Sequence, residues 1–199
     1  MNNKIQLMRN EFKKHGGVLK TSEFNDLGIS SRQINKLLDE NMISRIKHGF
    51  FESTEYTPRE EVVIARLFPA AILFLESALM QYGYTDRIPS SWQIAVDKNS
   101  QKSKYKIDYL RVEPYYIEPK YLNIGVDAVT IDGVKVRIYD QDRTICDTLR
   151  YEKKLEAEVF SNAIKRYIED PKHNVRKLFE YAEVFNITNK VETYVGVWL

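Results

Sequence analysis

Basic and polar side chains that suit contact with nucleic acid are concentrated between residues 20 and 48. Arginine and lysine pair with guanine edges and phosphates, and asparagine suits adenine. The candidate contact residues are Lys20, Thr21, Ser31, Arg32, Gln33, Asn35, Lys36, Arg45, Lys47 and His48. These residue types predict DNA binding, provided that the elements carrying them place them on one surface.

Two short helices joined by a tight turn are predicted around Gly28. Glycine can adopt the left-handed conformation in which many helices end. Ser30 and Gln33 have the spacing of a capping box at the start of the second helix, and Ile29 can pack on Ile34 as a hydrophobic staple. The second helix therefore starts at a fixed angle to the first, a geometry that lets a helix enter the DNA major groove.

The second helix is predicted to have one apolar and one polar face. Ile34, Leu37 and Leu38 share the apolar face. The opposite face carries Arg32, Asn35, Lys36 and Asp39. Gln33 is less suited to reading bases, because the capping box already gives it a partner. The alternative interpretation is that this face is only the solvated surface of a small helical domain.

A two-stranded ribbon is predicted over residues 43–53. Ile43, Arg45 and Lys47 alternate with Ser44, Ile46 and His48 as on the two faces of a strand, and Gly49 interrupts the run. A ribbon in this position is typical of the wing of a winged helix-turn-helix. Arg45, Lys47 and His48 would then lie where a wing meets a phosphate backbone. For His48, a surface-loop histidine without a contact is an equally good interpretation.

The rest of the chain predicts a mixed α+β region followed by helices. Strands are expected at 70–75, 92–96, 105–112, 126–131 and 134–139. Helices are expected at 59–68, 77–82, 140–151, 155–168, 175–185 and 188–195. Asp132-Gly133 between two alternating runs is a strong hairpin signal. The basic segment 98–104 between the second and third strands is interpreted as a solvated hairpin tip or as a further phosphate contact.

The predicted fold class is α+β, with an N-terminal winged helix-turn-helix, a mixed α+β domain and a helical C-terminal tail. Residues 53–58 are polar and include a proline, which favours a boundary there between domains 1–57 and 58–199. Within the second domain, Arg143, Asp147 and Arg150 have the spacing of an ion-pair ladder along a helix. The alternative is a small polar site buried between the middle of that domain and the helical tail.

Net charge and cysteine content limit the kinds of binding partner and the cellular compartment that we expect. The net charge of +2 excludes a histone-like polycation, and residues 1–56 carry the excess with 9 basic and 7 acidic residues. Cys146 is the only cysteine, which rules out an intramolecular disulfide and favours a cytoplasmic location. Met1 leads into an amphipathic helix rather than a signal peptide, and no apolar run is long enough to span a bilayer.

The sequence motifs give little indication of an enzyme. Asp108, Glu118 and Lys120 have the order of a metal-dependent nuclease site, but Pro119 argues against a regular central strand there, because proline cannot donate a ladder hydrogen bond. No Gly-Ser turn precedes paired aspartates as in a nucleotidyltransferase, and no phosphate-cradling loop or metal-ligand spacing is found. We therefore expect no enzyme, metal or cofactor. A nuclease targeted by a winged helix, and an interaction module that has lost DNA binding, remain alternatives.

Three segments together resemble the AbiEi-type antitoxins of type IV toxin–antitoxin systems, which are named for abortive phage infection. The first contains Gly17-Val18-Leu19-Lys20-Thr21, Leu27-Gly28-Ile29-Ser30 and residues 43–51; the second is residues 76–84 with Ile88-Pro89 and the strand 92–96; the third is residues 142–150. The resemblance reaches to about residue 185.

The resemblance implies a transcriptional repressor of its own operon that binds double-stranded DNA at inverted repeats near the promoter. It also implies an antitoxin that counters a nucleotidyltransferase toxin without necessarily binding it. The C-terminal part is shorter than in longer members of the family, so a regulator without antitoxin activity is an alternative.

Overall fold

The structure is a computed structural model that describes residues 2–198. Met1 and Leu199, the outer ends of the two predicted domains, lie outside the described residues, as do the side chains of Asn2 and Asn3. The fold is α+β, as predicted. The helices are α1 (Asn2–Lys14), α2 (Thr21–Asp26), α3 (Ser31–Asp39), α4 (Glu60–Leu67), α5 (Leu75–Gln81), α6 (Pro119–Leu122), α7 (Gln141–Arg150), α8 (Ala157–Glu169), α9 (Val175–Val184) and α10 (Thr188–Tyr194). The strands are β1 (Val18–Lys20), β2 (Ile43–Lys47), β3 (Phe50–Ser53), β4 (Ile72–Leu73), β5 (Trp92–Asp97), β6 (Val112–Ile117), β7 (Val126–Ile131) and β8 (Val134–Tyr139).

The chain divides into two compact units. Unit 1 is the chain up to Ala71 together with Ile107–Leu110 and Val129–Val136, and unit 2 is the remainder. Unit 1 thus extends beyond residues 57–58, the boundary suggested by the sequence, because α4 packs against β1. The division into domains 1–57 and 58–199 stays a prediction.

The core of the N-terminal part of unit 1 lies between α1, α2, α3 and an antiparallel sheet of order β1-β3-β2. Met8 and Phe12 of α1 are buried, as their helical spacing predicts. The Phe24 ring stands edge-on to the rings of Phe12 and Phe51, with ring centres 5.8 and 5.5 Å away. Aromatic pairs favour this edge-to-face arrangement, which fixes α2 against both α1 and β3.

Strict alternation along β2 was a wrong expectation. Ile43 and Ile46, three residues apart, are both buried, whereas regular pleating would place them on opposite faces. The register of β2 against β3 shifts between Arg45 and Lys47, as in a β-bulge. An additional residue on one strand restores the inward direction of Ile46, so the ribbon predicted over 43–53 is present with a bulge in it.

A five-stranded mixed sheet has the order β6-β5-β4-β8-β7. The predicted strands β7 and β8 are neighbours joined by Asp132-Gly133, whose φ angles are 47° and 78°. Positive φ at both positions is what a two-residue hairpin turn requires, so the hairpin prediction is confirmed. The strand predicted at 70–75 is confined to β4, because α5 begins at Leu75.

The strand predicted at 105–112 was wrong. Lys102–Tyr105 is a 3₁₀ turn, and the strand that follows is β6, which starts at Val112. β6 is parallel to β5, so residues 98–104 are not a hairpin tip. Parallel neighbours need a crossover of about a dozen residues or more, and residues 98–111 form it. Pro114 is tolerated because β6 is an edge strand.

The helices of unit 2 follow their predicted ranges closely. Asp140 caps α7 by accepting a hydrogen bond from the Arg143 backbone N–H at 2.8 Å. α8, α9 and α10 contribute to one core cluster with Ile145, Cys146 and Leu149 of α7. Cys146 is fully buried, and this burial raises the pKa of its thiol. Among the described residues, no helix combines the length and apolar character that a bilayer span would need.

Candidate nucleic-acid interface

The turn between α2 and α3 has the predicted local structure. Gly28 has a φ of 68°, the left-handed conformation expected after a helix. The Ser30 backbone N–H donates to Gln33 Oε1 at 2.9 Å, so Gln33 is engaged in the cap. Ile29 and Ile34 are buried in the same cluster, as a staple requires. The N-terminus of α3 is therefore held at a defined angle to α2.

The α2–α3 turn also has a support that sequence reasoning missed. Lys4 of α1 donates from Nζ to the Gly28 carbonyl at 2.6 Å. A cation at a helix C-terminus satisfies a carbonyl that the helix itself leaves open. A lone lysine in the first turn of α1 gives no sequence signal of this contact, because the contact depends on how α1 crosses α2.

The predicted division of α3 into two faces is confirmed. Ile34 and Leu37 are buried, and Leu38 is partly buried. The polar residues Ser31, Arg32, Asn35 and Lys36 are exposed. Lys36 Nζ lies 3.6 Å from Glu40 Oε1, an exposed pair one turn away that leaves the lysine free to exchange partners.

A concave surface, here called the reader cleft, lies between the N-terminal half of α3 and the β2–β3 ribbon. The polar side chains that line it are Thr21, Ser31, Asn35, Arg45 and His48. Ile34, Gly49 and Phe51 complete its lining. None of the described side chains in this lining is a carboxylate. The cleft therefore presents hydrogen-bond donors and positive charge, the groups that bind phosphates and base edges.

Two contacts support the ribbon wall of the cleft. The Thr21 N–H, at the start of α2, donates to the Gly49 carbonyl in the ribbon turn at 3.0 Å. The Arg45 guanidinium carbon lies 5.4 Å from the centre of the Phe51 ring, in cation–π range. Arg45 is nevertheless exposed. The ribbon therefore carries a supported but accessible cation into the cleft.

The other five predicted contact residues lie outside this lining. Gln33 and Lys36 line a separate groove between α1 and α3, and Arg32 is exposed on α3. Lys20 and Lys47 are partly buried, with their ammonium nitrogens 5.9 and 5.5 Å from the rings of Phe50 and Phe68 respectively. The structure thus brings together half of the predicted set, and contact with DNA stays a prediction for all ten.

An ion pair with α4 also positions α2. Arg66 Nη2 lies 2.5 Å from Glu23 Oε1 and also contacts Oε2, and the Lys20 N–H donates to Glu23 Oε2 at 2.7 Å. Burial alone would raise the pKa of Glu23, but the hydrogen bonds from Arg66 and Lys20 lower it below its usual value. Glu23 can be recognised as an N-terminal helix residue from the sequence, whereas its partner 43 positions away cannot.

In unit 2, the predicted ladder of Arg143, Asp147 and Arg150 forms, but inside the core. Arg143 Nε donates to Asp147 Oδ2 at 2.8 Å, and both side chains are 0% exposed. Arg150 also bonds Asp147. The Arg143 guanidinium carbon lies 4.3 and 4.1 Å from the ring centres of Tyr139 and Phe185. This geometry favours the ion-pair interpretation.

The candidate nuclease residues do not form a recognised metal centre in the described part of the chain. Asp108 belongs to unit 1, whereas Glu118 and Lys120 belong to unit 2, where they pair with each other at 3.6 Å. Residues 2–198 contain no group of three or more His, Cys, Asp or Glu side chains placed to hold a metal ion. Pro119, expected to prevent a central strand, is the first residue of α6.

These elements define an α+β protein with a helix–turn–helix and a β-hairpin in its N-terminal part. Residues 6–54 match a family model described as transcriptional regulator, AbiEi antitoxin. The match runs from α1 through β3 and covers about a quarter of the chain, so the first of the three resembling segments lies within it. No curated protein matches the chain.

Proposed function

We propose that the chain is a transcriptional repressor of its own operon that binds double-stranded DNA at promoter inverted repeats. In this proposal α1–α3 and the β2–β3 ribbon act as a winged helix-turn-helix. The observation that carries it is the reader cleft, where side chains of α3 and of the ribbon converge without a carboxylate in the described lining. The family match over residues 6–54 supports the same assignment.

The two walls of the cleft would contribute differently. Ser31 is the first residue of α3, where the helix dipole favours the negative potential of DNA, and Asn35 lies one turn further on. Asn35 is suited to an adenine edge in the major groove, whereas Arg45 and His48 on the ribbon are suited to phosphates. Affinity would then come from the ribbon and base preference from α3.

We also propose an antitoxin role against a nucleotidyltransferase toxin, with or without direct contact, and a cytoplasmic location. The support is the family match at residues 6–54 and the resemblance of segments 76–84 and 142–150. We expect no catalytic activity of the chain itself. Metal-dependent cleavage of plasmid by the purified protein would contradict that expectation.

DNA binding is tested with the full chain and a fragment of its own promoter. A double substitution Arg32→Ala with Asn35→Ala should weaken binding about 5- to 150-fold, since a good base contact is worth about 1–3 kcal/mol. The matched control is Asn10→Ala with Lys13→Ala, an exposed asparagine and an exposed basic residue on α1. Equal affinity of both variants and the wild type would remove α3 as the reader.

The antitoxin role is tested by co-expressing the full chain with a nucleotidyltransferase toxin encoded by a neighbouring gene. Restored growth supports the role, and growth arrest despite normal expression of the chain contradicts it. The Arg32→Ala, Asn35→Ala variant separates the two activities. If this variant still restores growth, protection does not depend on repression of the operon.

A further inference from the structure

A tyrosine far from the N-terminal region in sequence contacts the sheet that carries the ribbon. Tyr109 lies in Ile107–Leu110, a segment of the β5–β6 crossover that belongs to unit 1. Its hydroxyl donates to Glu52 Oε2 on β3. Burial, followed by the nearby Glu52 carboxylate, raises the pKa of Tyr109. The hydroxyl therefore stays a protonated donor across the neutral range.

Glu52 uses its two oxygens for two different segments. β3 is the central strand, and Glu52 lies directly opposite Val18 of β1 and Ser44 of β2. Ser44 Oγ donates to Glu52 Oε1 at 2.6 Å. The carboxylate therefore links β2 to Tyr109, and hydrogen bonds to a charged acceptor are stronger than neutral ones.

This link is adjacent to the part of β2 that enters the reader cleft. Ser44 immediately precedes Arg45, and the register of β2 shifts between Arg45 and Lys47. A strand next to a bulge has fewer regular ladder hydrogen bonds to hold its direction. A side-chain contact just before the bulge can therefore decide where Arg45 points.

We propose that Tyr109 is a positioning residue for DNA binding, which acts through Glu52 and Ser44 to hold β2 and so to keep Arg45 in the reader cleft. This inference rests on the proposed function. It assigns residues 107–110 to the DNA-binding machinery although they lie more than 50 residues beyond the ribbon and are not part of the described cleft lining. Tyr109 itself contacts no DNA in this role.

The test substitutes Tyr109→Phe, which removes the hydroxyl and keeps the ring. Affinity for the promoter fragment should fall about 3- to 10-fold, since a net hydrogen bond is worth about a factor of ten. The slope of log affinity against log salt should stay unchanged, because no phosphate contact is lost. Without DNA, amide hydrogen exchange should accelerate in β2 and β3.

Two further variants control the test. Tyr56→Phe removes a hydroxyl that bonds Asp132 within unit 1 and lies outside the cleft lining, so it should leave affinity and ribbon exchange unchanged. Glu52→Gln keeps an acceptor for Tyr109 and gains a donor for Ser44, so it should retain affinity that Glu52→Leu loses. Rescue by glutamine identifies the hydrogen-bond link rather than general packing.

Unchanged ribbon exchange or unchanged affinity in Tyr109→Phe would overturn the positioning role, and so would an equal effect of Tyr56→Phe. If the wild-type chain binds no promoter DNA, the proposed function fails. The exchange measurement on free protein then still decides whether Tyr109 holds β2.

Discussion

Replacing Arg143 by methionine should destabilise unit 2 by about 3 kcal/mol. The Arg143 side chain is 0% exposed and serves three acceptors: Asp147 at 2.8 Å and the carbonyls of Ile124 and Tyr121 at 2.7 and 3.3 Å. Methionine has a similar helix propensity, so intrinsic helix stability contributes little. It is shorter than arginine by the guanidinium group, but its flexible side chain can fill part of the space beside Tyr139 and Phe185. The loss of the buried ion pair dominates.

The expected loss of stability follows from the Asp147 carboxylate, which stays buried after Arg143 is replaced. Removing one member of a buried pair costs about 3–5 kcal/mol, because the other charge stays buried without its partner. Here Arg150 still contacts Asp147, which favours the lower end of that range. Arg143 Nη2 has no hydrogen-bond partner within residues 2–198, so its removal also relieves a small cost.

A pair with the same spacing on the protein surface provides the control. Arg176 and Glu180 of α9 are also four residues apart, with side chains 90% and 60% exposed. Arg176→Met should cost only about 0.3–0.5 kcal/mol. Urea unfolding of the two variants, followed by circular dichroism, measures both values. If the two substitutions cost the same, burial does not strengthen the Arg143 pair and the reasoning is refuted.

This comparison also separates the two interpretations of residues 143–150. If the ladder is structural, Arg143→Met should lose much of its stability, and any loss of antitoxin activity should occur only together with that loss of stability. A functional polar site predicts a variant that stays folded at 37 °C but no longer restores growth. The hydrogen bonds of Arg143 to the carbonyls of Tyr121 and Ile124 favour the first outcome, since they join α7 to α6 and to the segment that follows α6.

Three further predictions concern charge. Arg45→Ala should weaken binding to every DNA sequence alike and lower the salt slope by about one unit; an unchanged slope would exclude a phosphate contact. Glu23 has a lowered pKa, so its contribution to stability is present above pH 4.5 and is lost as the pH falls through its folded pKa; Glu23→Gln should flatten that acid limb of the urea-midpoint profile. Burial raises the pKa of Asp142, although hydrogen bonds from the Asn174 backbone N–H and then the Tyr167 hydroxyl oppose the shift. The ionised form of Asp142 therefore opposes folding, and the stability that the protonated form contributes is lost as the pH rises through the folded pKa. Asp142→Asn, which keeps an acceptor for Tyr167 and for the Asn174 N–H, should therefore raise stability at pH 7 and have less effect near pH 3.5.

Features decided by neighbouring residues were predictable from the sequence. Gly28 ends α2 through its own backbone conformation, and the Ser30 cap begins α3 through a hydrogen bond with Gln33. Asp132-Gly133 likewise forms a hairpin turn through its own backbone conformation. Asp140 caps α7 as its position before an amphipathic run indicates. In each case the partner atoms lie within four residues, so no knowledge of tertiary packing is needed.

Features decided by distant residues were not predictable. The basic segment 98–104 has the composition of a turn, and turn composition does not distinguish a hairpin tip from the start of a parallel crossover. Glu23 and Arg66, or Glu52 and Tyr109, meet only because helices and strands have packed. These contacts enlarge unit 1 beyond residue 57, although the polar segment 53–58 marks a local break in pattern.

The polar face of α3 shows one feature that the sequence predicts and one that it does not. Its separation from the apolar face follows from the helical period, and the structure confirms it. The same period, however, divides the polar residues themselves: Ser31 and Asn35, four apart, face the ribbon, whereas Gln33 and Lys36 face α1. The sequence cannot reveal this second division, because it depends on which side of α3 the ribbon returns. Residues that share a polar face are therefore not equivalent candidates, and substitutions at Asn35 should affect DNA binding more than substitutions at Lys36.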